Sequence, residues 1–336
     1  MRAYLLAKLM WNPNANQDSI LADFRKGYYG EYANLIDRYV KDNIRRMEKH
    51  GKKLWIYDVP QNEAFVRDSF LTRMMQFDQA IPKPSDPHLE QRLRPVVLVE
   101  LVSFLENMKC VSPTGDDHLA QTAYMMFRFD TSGLHDMFSN FEKWCTEAGL
   151  LHMNENGYTP AQFVRDYRSF LVRNSEASQS LALDVQLTEP ASPQYAGGRT
   201  NVLTDRLVGE TDYRYNWIGF NGKDMQATIL VADSTGMPFV SDITVSFLQD
   251  QSSWVFLPEK VVFELSVDGE IFFPVKEEVL ETIPSNEKRF QTVKATIKPT
   301  TARAVRVTAI NRKVCPAWHT CNGNPCWIFA DEITVK

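Results

Sequence analysis

The hydrophobic periodicity of this chain changes once, at about residue 175, and no other feature limits its fold as strongly. Before that point apolar residues recur at three- and four-residue spacing, the repeat that lines one face of an α-helix. Tyr32, Leu35, Ile36, Tyr39, Val40, Ile44 and Met47 form one series, and Val66, Phe70, Met74, Phe77 and Ile81 a second. Leu93, Val96, Val97, Leu101, Phe104, Leu105 and Met108 form a third. Leu134, Met137, Phe138, Phe141 and Cys145 form a fourth, closed by Gly149. Pro82, Pro84 and Pro87 separate the second series from the third. Thr159-Pro160-Ala161-Gln162 has the form of a capping box, with Thr159 as N-cap and Gln162 reaching back. It opens a helix through Phe163, Tyr167, Phe170 and Leu171. This pattern predicts about six or seven helices in an antiparallel array.

Beyond residue 175 the period is two. Val261, Phe263, Leu265 and Val267 alternate with Val262, Glu264 and Ser266, and Asp268-Gly269 then turns the chain into Ile271-Phe272-Phe273. That is a hairpin signal, because Asp-Gly supplies the backbone a tight antiparallel turn needs. Val293, Ala295 and Ile297 alternate as well, as do Val305, Val307 and Ala309. Short strands at this spacing, with no helical pattern between them, predict an antiparallel sandwich. Asn174-Ser175-Glu176-Ala177-Ser178-Gln179-Ser180 has the composition of a connector. The expected organisation is therefore an all-α helical bundle over 1–175, a linker over 176–180 and an antiparallel β-sandwich over 181–336.

Length and charge narrow the function. The 336 residues suffice for two domains with their own cores, and a formal charge of −5 without a basic stripe argues against nucleic acid as a partner. No apolar run approaches the length needed to span a membrane. Residues 1–10 carry Lys8 in mid-run and no small-residue cleavage site, so they read as an amphipathic helix with Leu5, Leu6 and Leu9 on one face. Such a helix needs something to pack on, which leads us to expect that material preceding Met1 has been removed or that the start is misplaced.

The five cysteines are an odd number. Cys110 and Cys145 sit on apolar helical faces and read as buried free thiols. Cys321 and Cys326 bracket Asn-Gly-Asn-Pro, a turn-forming tetrapeptide that predicts a disulfide between them. A bridge closing so small a loop contributes roughly 2 kcal/mol by the chain-entropy argument and implies an oxidising compartment. A zinc site built from Cys315, His319, Cys321 and Cys326 is the rival reading, although the spacing matches no common zinc motif.

Two stretches resemble known families. In the β half, Asn201-Val202-Leu203-Thr204-Asp205 leads through Gly209 to Asn216-Trp217-Ile218-Gly219-Phe220. Phe247-Leu248-Gln249-Asp250, Ser253-Trp254-Val255-Phe256-Leu257-Pro258 and Ser266-Val267-Asp268-Gly269 follow. Ala317-Trp318-His319 and Trp327-Ile328-Phe329-Ala330-Asp331-Glu332-Ile333 complete the order. This resembles the discoidin-like (coagulation factor five/eight type C) sandwich, a galactose-binding-like jelly roll appended to glycoside hydrolases of Bacteroides-type gut bacteria. In the helical half, Ala7-Lys8-Leu9-Met10-Trp11-Asn12-Pro13 and Phe24-Arg25-Lys26-Gly27-Tyr28-Tyr29-Gly30 are similar to the segment where the catalytic barrel ends in a family of glycosidase-like proteins. That family is related to α-glucuronidases and, more distantly, to β-hexosaminidases.

The resemblance implies several things. A catalytic (β/α)₈ barrel with its two carboxylates would precede Met1, and the chain would be periplasmic or extracellular, among polysaccharide-utilisation proteins. A structural calcium would be held by Asp205 and Glu332, since the first and last strands of such sandwiches run close. This sequence departs from the pattern at one point: Arg206 stands where a glycine commonly follows the aspartate, which counts against a tight metal-binding turn.

Sugar recognition needs an aromatic face against the apolar face of a pyranose, with planar polar groups nearby to catch hydroxyls. Trp217, Trp318 and His319 lie in polar, glycine- or proline-containing loops and are the candidates for that platform. Asn216, Asn221 and Arg214 are candidates for the hydrogen bonds. For Trp217, which precedes Ile218, plugging the core remains an equal reading, and Trp254 and Trp327 read as core.

A catalytic centre has little support. Asp331-Glu332 point to opposite faces of an expected strand, so they do not face one glycosidic bond together. Asp116-Asp117-His118 follows Pro113-Thr114-Gly115 and reads as a helix N-cap. Tyr28, Tyr29 and Tyr32 read as filling an interface with the barrel. The expected function is thus a carbohydrate-binding accessory region, without its own catalytic centre, of a polysaccharide-degrading glycoside hydrolase. Two alternatives stand beside it: part of an active glycosidase whose barrel lies upstream, and a helical oligomerisation scaffold carrying an architectural sandwich.

Overall fold

The computed structural model describes residues 1–50, 86–109, 131–155, 157–177, 179–182, 184–195, 199–232 and 236–336. The series through Val66, Phe70, Met74, Phe77 and Ile81, together with Cys110 and Asp116-Asp117-His118, lies outside the described residues. The bundle expected over 1–175 includes part of that range. Among the described residues there are two compact units, one built from Met1–Lys109 and Phe129–Val164 and one that contains Arg165–Lys336.

In the first unit the helices are α1 (Arg2–Trp11), α2 (Gln17–Tyr29), α3 (Ala33–His50), α4 (Pro87–Met108) and α5 (Thr131–Glu147), and α6 (Pro160–Ala177) begins there. Their ends follow the chemistry of their caps. Asn16 accepts from the Ser19 amide at the start of α2, which satisfies one of the N–H groups a helix start leaves open. Gly149, at φ +70, closes α5. The Thr159 hydroxyl accepts from the Gln162 amide at 3.2 Å while the Gln162 side chain accepts from the Thr159 amide at 2.8 Å, the reciprocal pair of a capping box. Inside the unit, Tyr32 and Ile36 pack on Leu89 and Leu93. Phe141 lies against Phe163 with ring centroids 5.5 Å apart.

The division between the units falls inside α6, after Val164. The last turns of α6 belong to the second unit, where the Arg173 guanidinium donates to the Gly209 carbonyl at 2.7 Å. The stretch expected to be a linker is also committed. Buried Ser180 accepts, through its hydroxyl, from the amides of Ala182 (3.2 Å) and Val335 (3.1 Å), which ties the start of the sandwich to its last strand.

The second unit is a two-sheet antiparallel β-sandwich. Its strands are β1 (Asp184–Leu187), β2 (Ile218–Asn221), β3 (Met225–Leu230), β4 (Phe239–Gln249), β5 (Lys260–Ser266), β6 (Phe273–Val279), β7 (Arg289–Thr301), β8 (Ala304–Ile310) and β9 (Trp327–Val335). One sheet has the order β1-β3-β8-β5-β6 and the other β2-β9-β4-β7. The period-two pattern does what it predicts: Val261, Phe263 and Leu265 of β5 and Val305, Val307 and Ala309 of β8 point into one core with Val293 and Ala295 of β7. Gly269, at φ +86, makes the expected turn between β5 and β6, and Asp268 Oδ1 accepts from the Glu270 and Ile271 amides.

Strand β9 lies inside its sheet. It pairs with β2 on one side and β4 on the other, with Asn221 opposite Trp327 and Ile218 opposite Ala330. Its register against β4 shifts between Thr244 and Ser246, so Glu332 and Ile333 bulge opposite a single residue. Glu332 accordingly has φ +27.

Candidate functional site

The bulge in the middle of β9 and the loop that precedes the strand hold two polar clusters. At the bulge Asp331 and Glu332 are 0% and 2% exposed. The bulge removes the simple alternation expected of this pair, and both carboxylates are buried. Glu332 Oε2 accepts from the Arg206 amide at 2.8 Å, Asp331 Oδ2 accepts from the Gly209 amide, and Asp205 Oδ1 accepts from the Leu207 amide at 2.9 Å. Arg206 takes the left-handed conformation, φ +66, that the resembled pattern assigns to glycine. The turn therefore forms without glycine, at a strain of about 1–2 kcal/mol. Its guanidinium donates to the Ser180 carbonyl at 3.3 Å.

Two of these carboxylates each keep an oxygen bare. Asp331 Oδ1 and Glu332 Oε1 are buried and accept no hydrogen bond. Burial pushes Asp205 up to about 7. It pushes Asp331 well above the usual carboxylate range, with Asp205 adding to the rise. Burial does the same to Glu332, with Asp331 and Asp205 adding to it. Buried carboxylates from two segments far apart in sequence, with bare oxygens among them, are the donor set a hard cation prefers. Asp205 and Glu332 are the residues that would hold the expected calcium ion.

At the N-terminal end of β9 lies the β8–β9 loop, 311–326. Val314 bridges Pro325, and the Cys315 amide donates to the Asn324 carbonyl at 2.8 Å, so the loop's stem is a narrow antiparallel ladder. Between them the His319 amide donates to Pro316 O and the Asn322 amide to His319 O, both at 3.0 Å. These turns bring Cys321 back onto Cys315, Cα to Cα 5.7 Å, and the two form a disulfide. The bridge expected between Cys321 and Cys326 is thus corrected. Cys326 belongs to the stem, where its amide donates to Lys313 O at 3.1 Å and its thiol donates to Asn311 Oδ1 at 3.2 Å. Burial pushes that thiol up to about 11.

The disulfide ring encloses Trp318 and His319. Trp318 is 45% exposed, and its ring meets Phe256 and His319 edge-on at 6.2 and 5.6 Å. His319 in turn stands edge-on to Phe256 at 5.3 Å. Phe256 is buried, and its amide donates to the Trp327 carbonyl at 2.9 Å, so the aromatic group is anchored on β9. Trp254, expected in the core, is 42% exposed. Its left-handed backbone, φ +63, turns it out of the strand direction, and its carbonyl accepts from the Trp327 amide at 2.9 Å.

Of the two readings held for Trp217 the core one is found, and its candidacy for the platform is corrected: it is 1% exposed and presents no face to a ligand. Its indole N–H donates to the Glu210 carbonyl at 2.8 Å, and it packs with Leu248, Val255 and Phe329 under Tyr195 and Tyr213. A Cβ on Gly209 would stand 2.2 Å from the indole, so glycine there makes the room. That glycine eight residues upstream is the sequence signal that could have revealed the burial. The candidate polar groups are not gathered into one place. Asn221 ends β2 opposite Trp327, beside the Trp318 loop, and the following Gly222 donates to the Cys326 carbonyl at 2.8 Å. Asn216 and Arg214 precede β2, at its other end. Asn216 donates to the Val208 carbonyl at 3.4 Å, and Arg214 is held by Asp212 at 2.9 and 3.0 Å.

The family described as a domain of unknown function, DUF4838, matches residues 1–41. No curated protein matches the chain. Solved structures do. The chain is similar to carbohydrate-binding modules. A pectin binding carbohydrate binding module shares 17% identity over 47% of this chain and 92% of its own, with a TM-score of 0.30. The C-terminal domain of a chitobiase from Bacteroides fragilis shares 16% identity over 46% of this chain and 94% of its own, with a TM-score of 0.29. CpGH89CBM32-5 from Clostridium perfringens, solved with GalNAc-β-1,3-galactose, shares 14% identity over 45% of this chain and 93% of its own, with a TM-score of 0.28. Among the described residues, no helix is long and apolar enough to cross a membrane.

Proposed function

We propose that the sandwich is a carbohydrate-binding accessory region of a glycoside-hydrolase-like protein, and that it seats a saccharide on Trp318. The observation that carries this reading is an indole that is half exposed yet fixed. Trp318 sits inside a disulfide ring, against the edges of Phe256 and His319. A rigid aromatic face loses little conformational entropy when a sugar stacks on it. His319 and Asn221 supply hydrogen-bonding groups at its border, and Trp254 adds a second exposed indole on the neighbouring loop. Arg214 and Asn216 are left out of this platform, since their polar groups are engaged at the far end of β2.

The calcium belongs to the same reading as a structural ion. It would fix Asp205 to Glu332 and so lock the turn at Arg206 onto the last strand. The jelly-roll relation, the barrel preceding Met1 and an exported location are what the sequence resemblance implies for the whole protein. In the first unit, α1 leaves Met10 and Trp11 exposed, which supports a partner domain covering that helix. The region carries no catalytic centre of its own in this reading.

The test is glycan binding by the full chain, read on an array and then by calorimetry on the best ligand. Trp318→Ala should weaken binding at least tenfold, equivalent to about 1.4 kcal/mol, while Trp318→Phe keeps part of it. Equal affinity for wild type and Trp318→Ala would remove the platform from consideration.

A further inference from the structure

The β8–β9 loop carries a second chemistry that stacking does not use. Cys315 Sγ, Cys321 Sγ and a ring nitrogen of His319 lie within 4.8 Å of one another, the one such trio of metal-ligating groups among the described residues. His319 Nδ1 is 2.7 Å from Cys321 Sγ, and the one other contact on it is the Cys321 amide, which donates to it at 3.2 Å and which a metal at Nδ1 would displace. Two soft sulfurs and an imidazole are the ligand set of zinc, whose bonds to sulfur and nitrogen run about 2.0–2.3 Å.

The backbone holds this trio together independently of the bond between the sulfurs. The Cys315 amide is tied to Asn324 O at 2.8 Å, the Asn324 amide to Cys321 O at 2.9 Å and the Asn322 amide to His319 O at 3.0 Å. Asn324 Nδ2 donates to the Cys321 carbonyl at 3.0 Å. Phe256 closes the apolar side, in one buried cluster with the cysteines. Opening the disulfide therefore leaves two thiols facing each other and an imidazole, with the loop still folded around them.

We propose that this loop is a redox-gated zinc site. A dithiol reductant gives two electrons and two protons to the Cys315–Cys321 bond and leaves as its own disulfide. Zinc then displaces both thiol protons and is held by the two thiolates and Nδ1 of His319. Cys326 is not a ligand, because its thiol is directed to Asn311 Oδ1. The fourth position falls to water, on the partly exposed side of His319. Oxidised, the same sulfurs bind each other and the site is shut. This goes beyond sugar recognition and does not depend on it.

The experiment counts zinc on the full chain by native mass spectrometry, after reduction with a dithiol, removal of the reductant under argon and addition of zinc chloride. One zinc per reduced chain and none per oxidised chain is the expected result. Oxidised protein is the control for the free thiols elsewhere, which it retains. His319→Ala keeps both cysteines and its disulfide when oxidised, so its fold can be checked by circular dichroism before reduction. Once reduced, it should bind zinc at least tenfold more weakly. Cys326→Ser should bind as wild type does. No zinc on the reduced chain, equal binding by His319→Ala, or loss of binding in Cys326→Ser would each overturn the assignment.

Discussion

The bulge of β9 and the loop that leads into the strand, here its acid end and its thiol end, solve the same problem, buried polar side chains, in opposite ways. At the start of the strand, two of three clustered cysteines neutralise each other with a covalent bond, and the third donates to Asn311. Nothing there asks for a partner until the bond is opened. At the bulge, Asp205, Asp331 and Glu332 share a dry region in which backbone amides satisfy some oxygens and leave others bare. Arg173 lies near Asp331, but its guanidinium donates to Gly209 O and lies 3.8 Å over the Phe290 ring. A buried carboxylate lacking a partner costs more than a buried neutral group. The acid end thus carries a burial cost, seen in carboxyls raised above their usual range, whereas the thiol end is complete as folded.

Two tryptophans, one beside each cluster, offer the strongest way to break this contrast. Trp217 is buried against Gly209, whose amide serves Asp331, and Trp318 is half exposed on the thiol loop. Trp217→Ala empties a fully buried site and abandons the Glu210 bond, so it should cost about 3–5 kcal/mol in urea unfolding. Trp318→Ala, at a half-exposed position with only edge contacts to lose, should cost no more than about 1 kcal/mol. Equal losses would mean that the thiol end depends on its indole for folding and that exposure is a poor guide to the role of Trp318.

The acid end is sharpened by calcium itself. A cation that binds only the folded sandwich at one hundred times its dissociation constant adds about 2.7 kcal/mol. Thermal unfolding of the wild type should therefore move upward with calcium and return with a chelator. Glu332→Gln keeps an oxygen for the Arg206 amide but removes the charge, and should make the transition indifferent to calcium. A wild-type transition that ignores calcium would leave the orphaned oxygens of Asp331 and Glu332 as an unrelieved cost of the fold.

Much of this sandwich is legible in the sequence because burial alternates along its strands: Val261, Phe263 and Leu265 announce β5, and Asp268-Gly269 the turn after it. The capping box at Thr159 is equally local. What resists sequence reading is decided by contacts between distant segments. Cys321 has two cysteine neighbours at similar separations, and only the ladder of Val314 with Pro325 selects Cys315. Trp217 looks like a loop aromatic until Gly209 is seen to leave space for it. Trp254 sits in an apolar run, yet its left-handed backbone turns it outward. The bulge at Glu332 depends on register against β4, and no pattern within Asp331-Glu332-Ile333 signals it.

Arg206 gives the smallest expected effect and the finest test of the acid end. Its φ of +66 is costly for a side chain with a Cβ, so Arg206→Gly removes about 1–2 kcal/mol of strain. The same change frees the unfolded chain, which opposes folding by about 0.5–1 kcal/mol, and loses the 3.3 Å bond to the Ser180 carbonyl, a contact of about 0.5–1.5 kcal/mol. These contributions nearly cancel, so chemical denaturation in a chelator should find Arg206→Gly within about 1 kcal/mol of wild type. The charge of Arg206 also acts on Glu332, opposing the rise that burial causes. If the arginine serves mainly as a standing cation for these carboxylates, Arg206→Gly will instead lose well over 2 kcal/mol in the chelator and recover most of it when calcium is added. That outcome would recast the acid end as a cluster already supplied with its positive charge, and would bring the acid and thiol ends closer together than the buried, bare oxygens imply.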